Sequence, residues 1–437
     1  MSRDLVAALV ESQARQDSDK VFLVRCVLLE ETLAEHGEAG RRAANYLREN
    51  LSPVRSLPSQ IVIEKATPFF RMNAHRCFNA KRDAEASLMD YSQNLVMMAV
   101  DSYFEHLPSD QRFHFQFEEQ FEIVLPRLNL KVPVPAGEVT LRRTDATTIQ
   151  IVSGNGELSI DVSNVPAEFR ALTFRLPHNS ATLLLASNTG LFEETYISTI
   201  ELDTKNVHSL IEQIDKALNL IALVDGNVSA LINRYIEWYI PLVNENPAAT
   251  HHSFSAKNLP GVMFLSGSYR FLPLCEAIVH EYHHYELYIL TATRDVFGEP
   301  TDRLFYSPWR TDARPLSGLF HALHVFTAVA DFYSRAIKLN LPELEAFQRD
   351  IQYRRELLCH QLTIGLAQVP RADLPPLGQK IYDYMEQHLA AQKAELEPAL
   401  KTQPRQIVTH FDDWSALHPK LVPEVKLAEE FFRHANA

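Results

Sequence analysis

The chain has 437 residues, 46% of them apolar and 22% charged, a globular composition that excludes wholesale disorder and fibrous architectures. At about 150 residues per domain it is long enough for two or three domains with real hydrophobic cores. Its 42 basic and 55 acidic residues give a formal charge of −13, a field that repels phosphate backbones and disfavours a nucleic-acid partner.

From Leu5 to about Leu107 apolar residues recur at three- and four-residue spacing, as in Leu5, Leu9, Val21, Val24, Leu28 and Leu33, predicting an N-terminal helical region over 1–108. Pro53 and Pro58 interrupt it. Near Phe113 the texture changes to alternation, β-branched residues and frequent turns, predicting a β-rich region over 109–205 that is a candidate peptide-binding surface. Asn155-Gly156, between TIQIVSG and ELSIDV, signals a hairpin turn whose central positions need positive φ. The helical period returns after Asp203 with Leu210, Ile214, Leu218, Ile221, Leu231, Tyr235 and Trp238 and dominates 340–365, 376–400 and 421–434, so 206–437 is expected to be a helical catalytic domain. The expected fold is α+β and predominantly α-helical: an N-terminal helical unit, a central antiparallel β-rich segment and a C-terminal helical metal-binding domain.

The opening MSRDLVAALVESQARQDSD breaks its apolar stretch with acidic and polar residues, unlike a signal peptide, and no apolar run reaches membrane-spanning length. Cys26, Cys77, Cys275 and Cys359 are far apart and form no CxxC pair, so reduced thiols and a cytoplasmic location away from membranes are expected. With 13 glycines and no GxGxxG, GxxxxGK[ST] or GxSxG, phosphate-cradling and nucleophile-elbow chemistries lack sequence support.

One stretch carries most of the chemical information. LCEAIVHEYHHYELYIL contains His280-Glu281-Tyr282-His283-His284, a match to HExxH. On a helix, residues i and i+4 lie one above the other, so His280 and His284 can offer nitrogens to one metal. His283 lies off that line and is expected to stand outside the coordination sphere. The bland alternative is that these are histidines hydrogen-bonded to backbone or carboxylates.

A metal needs a third protein ligand. The continuation xxGxxH after HExxH is absent, and Glu286 points elsewhere on the helix. The segment YSPWRTDARPLSGLFHALHVFTAVADFY starts a second helix after Pro315, with His321, Val325, Ala328 and Phe332 on one face. His321 is therefore the expected third ligand, with the small Ser317 and Gly318 leaving room in the preceding turn. His324 is the alternate and Glu299 a weaker candidate. Arg310 and Arg314 lie between Pro308 and Pro315, and a guanidinium fork beside a histidine metal site reads an anionic ligand bidentately. Ion pairing of these arginines with Asp302 or Asp312 is the competing reading. The paired His251 and His252 fall in a polar stretch and are expected to be solvated.

VHEYHH at 279–284 with SPWRTDARPLSGLFHALHVF at 307–326 resembles the HExxH-motif peptide-modification family associated with ribosomally synthesised, post-translationally modified peptides, and through it the 2-oxoglutarate- and Fe(II)-dependent peptide β-hydroxylases. The likeness is specific over about residues 260–335 and only architectural elsewhere. It implies His280, His284 and His321 as iron ligands, Arg310 and Arg314 near 2-oxoglutarate, and a precursor peptide as substrate. A non-haem iron dioxygenase of this kind converts 2-oxoglutarate to succinate and CO₂ while hydroxylating a substrate Cβ, and Fe(II) held by three protein ligands keeps positions for 2-oxoglutarate and O₂. Glu281 would then act in proton transfer or support. Two other readings stand: a zinc metallopeptidase with Glu281 as general base, and a non-catalytic precursor-peptide binding protein.

Overall fold

The computed structural model describes residues 28–425 apart from positions 30, 36, 60, 63–67, 79–87, 171–172, 178–180, 186–203, 243–252, 258, 267–269 and 397–404. Leu5, Leu9, Val21, Val24, Cys26 and the His251-His252 pair therefore lie outside the described residues. The protein is α+β and mostly helical, as its periodicity predicts. Its described residues fall into two compact units, one formed by those up to Asp215 together with 233–269, the other by 216–232 and those from Arg270 onward. The sequence reading draws three consecutive regions instead.

In the first unit, helices α1 (Gly37–Arg55), α2 (Pro68–Phe78) and α3 (Leu88–Tyr103) pack together, with α3 against both others. Ala43, Ala44, Leu47, Leu51 and Val54 form the buried stripe of α1, the three-and-four spacing that drives an amphipathic helix onto a core. β1 (Arg112–Phe117) alternates strictly, burying Phe113, Phe115 and Phe117. Two further strands, β2 (Phe121–Leu125) and β3 (Leu130–Val134), make a separate antiparallel hairpin.

β4 (Gly137–Arg143), β5 (Thr148–Ser153) and β6 (Gly156–Asp161) join β1 in an antiparallel sheet of order β1-β4-β5-β6. The expected hairpin forms between β5 and β6, but Ser153 pairs with Gly156, so Gly154-Asn155 is its two-residue loop and the positive φ falls on Gly156 (+113°). At the outer edge of β1, the His114 N–H donates to Asn50 Oδ1 at 3.0 Å and the Gln116 N–H to Gln93 Oε1 at 2.6 Å. Side-chain amides thus cap a strand edge that would otherwise template pairing with another chain.

The same unit holds a mixed sheet of order β10-β11-β9-β8-β7, built from β7 (Thr173–Arg175), β8 (Thr182–Leu184), β9 (Trp238–Leu242), β10 (Ser253–Phe254) and β11 (Val262–Ser266). β9 pairs in parallel with both β8 and β11. β9 and β11 lie in the stretch read from sequence as helical. Both are buried at every position, and a short continuous apolar run carries no period to separate strand from helix.

The second unit takes residues 216–232 of α4 (Thr204–Val224) and α5 (Gly226–Tyr235) and contains α6 (Phe271–Thr293), the hairpin β12 (Leu304–Ser307) with β13 (Arg310–Pro315), α7 (Leu316–Leu339), α8 (Gln348–Gln368), α9 (Pro376–Leu396) and α10 (Arg405–Leu417). α7 packs against α6, α8 and α9 and is buried along most of its length, which is why LFHALHVFTAVADFY is apolar almost all round. Gly365 permits the approach of α8: a Cβ there would lie 2.9 Å from a Leu323 methyl and 3.4 Å from the Trp309 ring. Among the described residues no helix is long and apolar enough to cross a membrane, and Cys77, Cys275 and Cys359 are buried thiols without disulfides.

Candidate metal centre

α6 carries the HExxH motif, and its spacing does what helical geometry dictates. His280 and His284 lie one turn apart with ring centroids 4.7 Å from each other. His321, from the second turn of α7, meets this pair: His284 Nδ1 and His321 Nδ1 are 3.3 Å apart. That separation equals the spacing of about 3.3–3.4 Å between two nitrogens each about 2.0–2.1 Å from one tetrahedral ion, so His284 and His321 stand at a metal-ligand spacing, whereas the group of three whose ligand atoms all lie within 4.8 Å of one another among the described residues is His283, Glu286 and His324. Burial pushes the His280 imidazole down to about 4 and, with the neighbouring histidines adding to the effect, holds His284 well below its ordinary value. Neutral imidazoles are the form that ligates metal.

His280, His284 and His321 are half-buried as residues, whereas Glu281 is 1% exposed. Aromatic rings wall the histidine row. Phe326 lies 4.8 Å from His280 and stacks on Trp309 at 4.7 Å, while Tyr288 and Phe297 lie 4.8 and 5.9 Å from His321. The Trp309 indole is fixed by donating to Gln361 Oε1 at 3.0 Å. Such walls leave few groups for water to bond and lower the local dielectric.

The segment bearing Arg310 and Arg314 is the β12–β13 hairpin, with Pro315 as the cap residue before α7. Asp312 takes up both arginines, accepting from Arg310 Nε at 2.9 Å and Arg314 Nη1 at 2.8 Å. Burial would raise the Asp312 carboxyl, but the two guanidinium groups outweigh it and hold it at about 2. The two arginines then differ. Arg310 is 61% exposed, whereas the Arg314 side chain reaches from β13 to the first turn of α7, where a Cβ on Gly318 would be 3.1 Å from its Nε. The Arg314 Nε is buried and makes no hydrogen bond.

A second group occupies another face of the same two helices. Glu286 Oε2 accepts from His283 Nδ1 at 2.8 Å and from His324 Nε2 at 3.0 Å. One ligand atom from each of these three residues lies within 4.8 Å of the others, and all three side chains are buried. Burial alone would raise the Glu286 carboxyl, but the His283 charge and the two hydrogen bonds hold it well below the usual carboxylate range. The structure thus places His283 in the interior beside Glu286, and gives His324, the alternate third ligand, to that carboxylate. Glu299 is exposed in the loop after α6.

Sequence reasoning missed a third cluster. Glu276, one turn before His280, accepts from Tyr333 Oη of α7 at 2.8 Å and from Arg354 Nε of α8 at 3.0 Å. Burial would raise Glu276, and Arg354 outweighs it, so the carboxyl is held below its ordinary value. The Arg354 guanidinium lies 5.7 Å from the Phe326 ring centre, linking this ion pair to the aromatic wall beside His280. The i−4 spacing of Glu276 was visible in the sequence; its partners, 57 and 78 residues away, were not.

No protein-family model matches the chain, and no curated protein sequence matches it.

Proposed function

We propose that the protein is a 2-oxoglutarate- and Fe(II)-dependent enzyme that hydroxylates a side-chain Cβ in a ribosomally synthesised precursor peptide. The observation that carries the reading is the meeting of His284 and His321 from two helices at 3.3 Å, with the His280 ring 4.7 Å from that of His284. His280, His284 and His321 would hold the iron, which supplies the coordination positions where 2-oxoglutarate and O₂ react to give succinate, CO₂ and the inserted oxygen. Arg314, in the strand that leads into α7, would bind the distal carboxylate, and Phe326, Trp309, Tyr288 and Phe297 would exclude water. Arg310, exposed and tied to Asp312, would contribute less. The precursor-peptide substrate rests on the sequence resemblance over about residues 260–335.

Glu281 would support the fold of α6, since a carboxylate 1% exposed is poorly placed to take a proton from a metal-bound water. This favours the hydroxylase over the zinc peptidase. The test is anaerobic reconstitution with Fe(II), followed by 2-oxoglutarate and short peptides encoded beside the gene. Succinate formation with a peptide mass gain of one oxygen is expected. Peptide-bond cleavage by the zinc form, abolished in Glu281→Gln, would replace this reading with the peptidase.

A further inference from the structure

We propose that His283, Glu286 and His324 form a second divalent-cation site, closed to solvent, that ties α6 to α7. The proposal does not depend on the reading of the open histidine row. His283 and Glu286 stand three residues apart on α6, so helical spacing puts both on one face, and His324 comes across from α7. This repeats the construction of His280, His284 and His321 in a wholly buried setting, with exposures of 4% for His283 and Glu286 and 3% for His324.

Two nitrogens and one carboxylate oxygen are a ligand set that Zn(II) takes, with a water in its fourth position. The three ligand atoms lie within 4.8 Å of one another, and the contacts of 2.8 and 3.0 Å need open only to the spacing of about 3.3–3.4 Å that a tetrahedral ion sets between its ligands. Among the described residues, the hydrogen bonds and ion pairs of Glu286 go to these two imidazoles alone, with no lysine or arginine taking part. A buried carboxylate is costly unless paired, and without metal the His283 charge pairs it. A dication between the three groups would take over that pairing with both imidazoles neutral.

The site is tested on the full chain, stripped of metal by chelator and dialysed against Zn(II), with zinc per chain measured alongside circular dichroism. Two tightly held equivalents are expected in the wild type, one in Glu286→Gln or His324→Ala, one in His280→Ala, and none in His280→Ala/His324→Ala. A wild type holding one equivalent that His324→Ala retains and His280→Ala loses overturns the proposal and leaves a proton-shared clamp. One equivalent lost in His324→Ala but kept in His280→Ala supports the buried site and sinks the metal reading of the open row instead. Should Glu286→Gln and His324→Ala fail to fold, the His280→Ala protein, which keeps only the buried site, decides. Its melting temperature is expected to fall on chelation and recover with Zn(II), and an unchanged melting temperature overturns the proposal.

Discussion

His284 and His321, 37 residues apart in the chain, bring their Nδ1 atoms to 3.3 Å across two packed helices. Both are half-buried as residues. Removing either ligand should weaken metal binding at the open row by more than the 10–100-fold typical of a supporting residue. Isothermal titration of His284→Ala and His321→Ala with Co(II) measures this, and wild-type affinity in both variants would dissolve the proposed centre.

Arg314 and Arg310 share Asp312 but not their surroundings. In metal-loaded protein, Arg314→Ala should raise the dissociation constant for 2-oxoglutarate by about 10–100-fold, the worth of one or two charge-assisted hydrogen bonds. Arg310→Ala, at an exposed position, should change it less than about threefold. Equal effects, or none, would remove Arg314 from the ligand site.

Arg354 and Glu276 form the ion pair behind the aromatic wall. Arg354→Ala leaves Glu276 with Tyr333 alone and should destabilise the fold by about 2 kcal/mol, below the 3–5 of a fully buried pair because Arg354 keeps 29% of its exposure. In a denaturant-based double-mutant cycle with Glu276→Gln the two changes should be strongly non-additive. Additive losses would show that the pair does not couple.

Asp101 of α3 is 1% exposed and accepts backbone N–H groups of Arg127 and Leu128, yet burial pushes its carboxyl up to about 7. A carboxyl raised in the folded state keeps its proton there while the unfolded chain loses it near pH 4. Stability from this group is therefore complete below pH 4 and declines as pH rises to about 7. Asp101→Asn should flatten that decline and stabilise the protein at pH 8 by a few kcal/mol, on the order of what a shift of about three pH units represents. Urea titrations at pH 5 and 8 measure it, and a wild type equally stable at both would contradict the assignment.

Gly378 and Gly226 make a paired test of packing. A Cβ on Gly378 of α9 would lie 2.1 Å from the Val296 carbonyl oxygen, whereas one on Gly226 meets nothing within 4 Å. Gly378→Ala should cost about 3 kcal/mol, because backbone must move, and Gly226→Ala at the start of α5 should be neutral or slightly stabilising. Thermal unfolding that ranks them the other way would place α9 differently.

Much of this protein is written in local pattern. The three-and-four spacing of α1, the alternation of Phe113, Phe115 and Phe117 and the i, i+4 geometry of His280 and His284 follow from backbone periods of 3.6 and 2, which neighbours along the chain share. What tertiary structure decided lies between residues distant in sequence. It set His321 against His284 while giving His324 to Glu286, joined Arg354 to Glu276, and turned WYIPL into the strand at the heart of a mixed sheet. No period encodes such choices, because which face of one helix meets which face of another depends on how all their side chains pack at once.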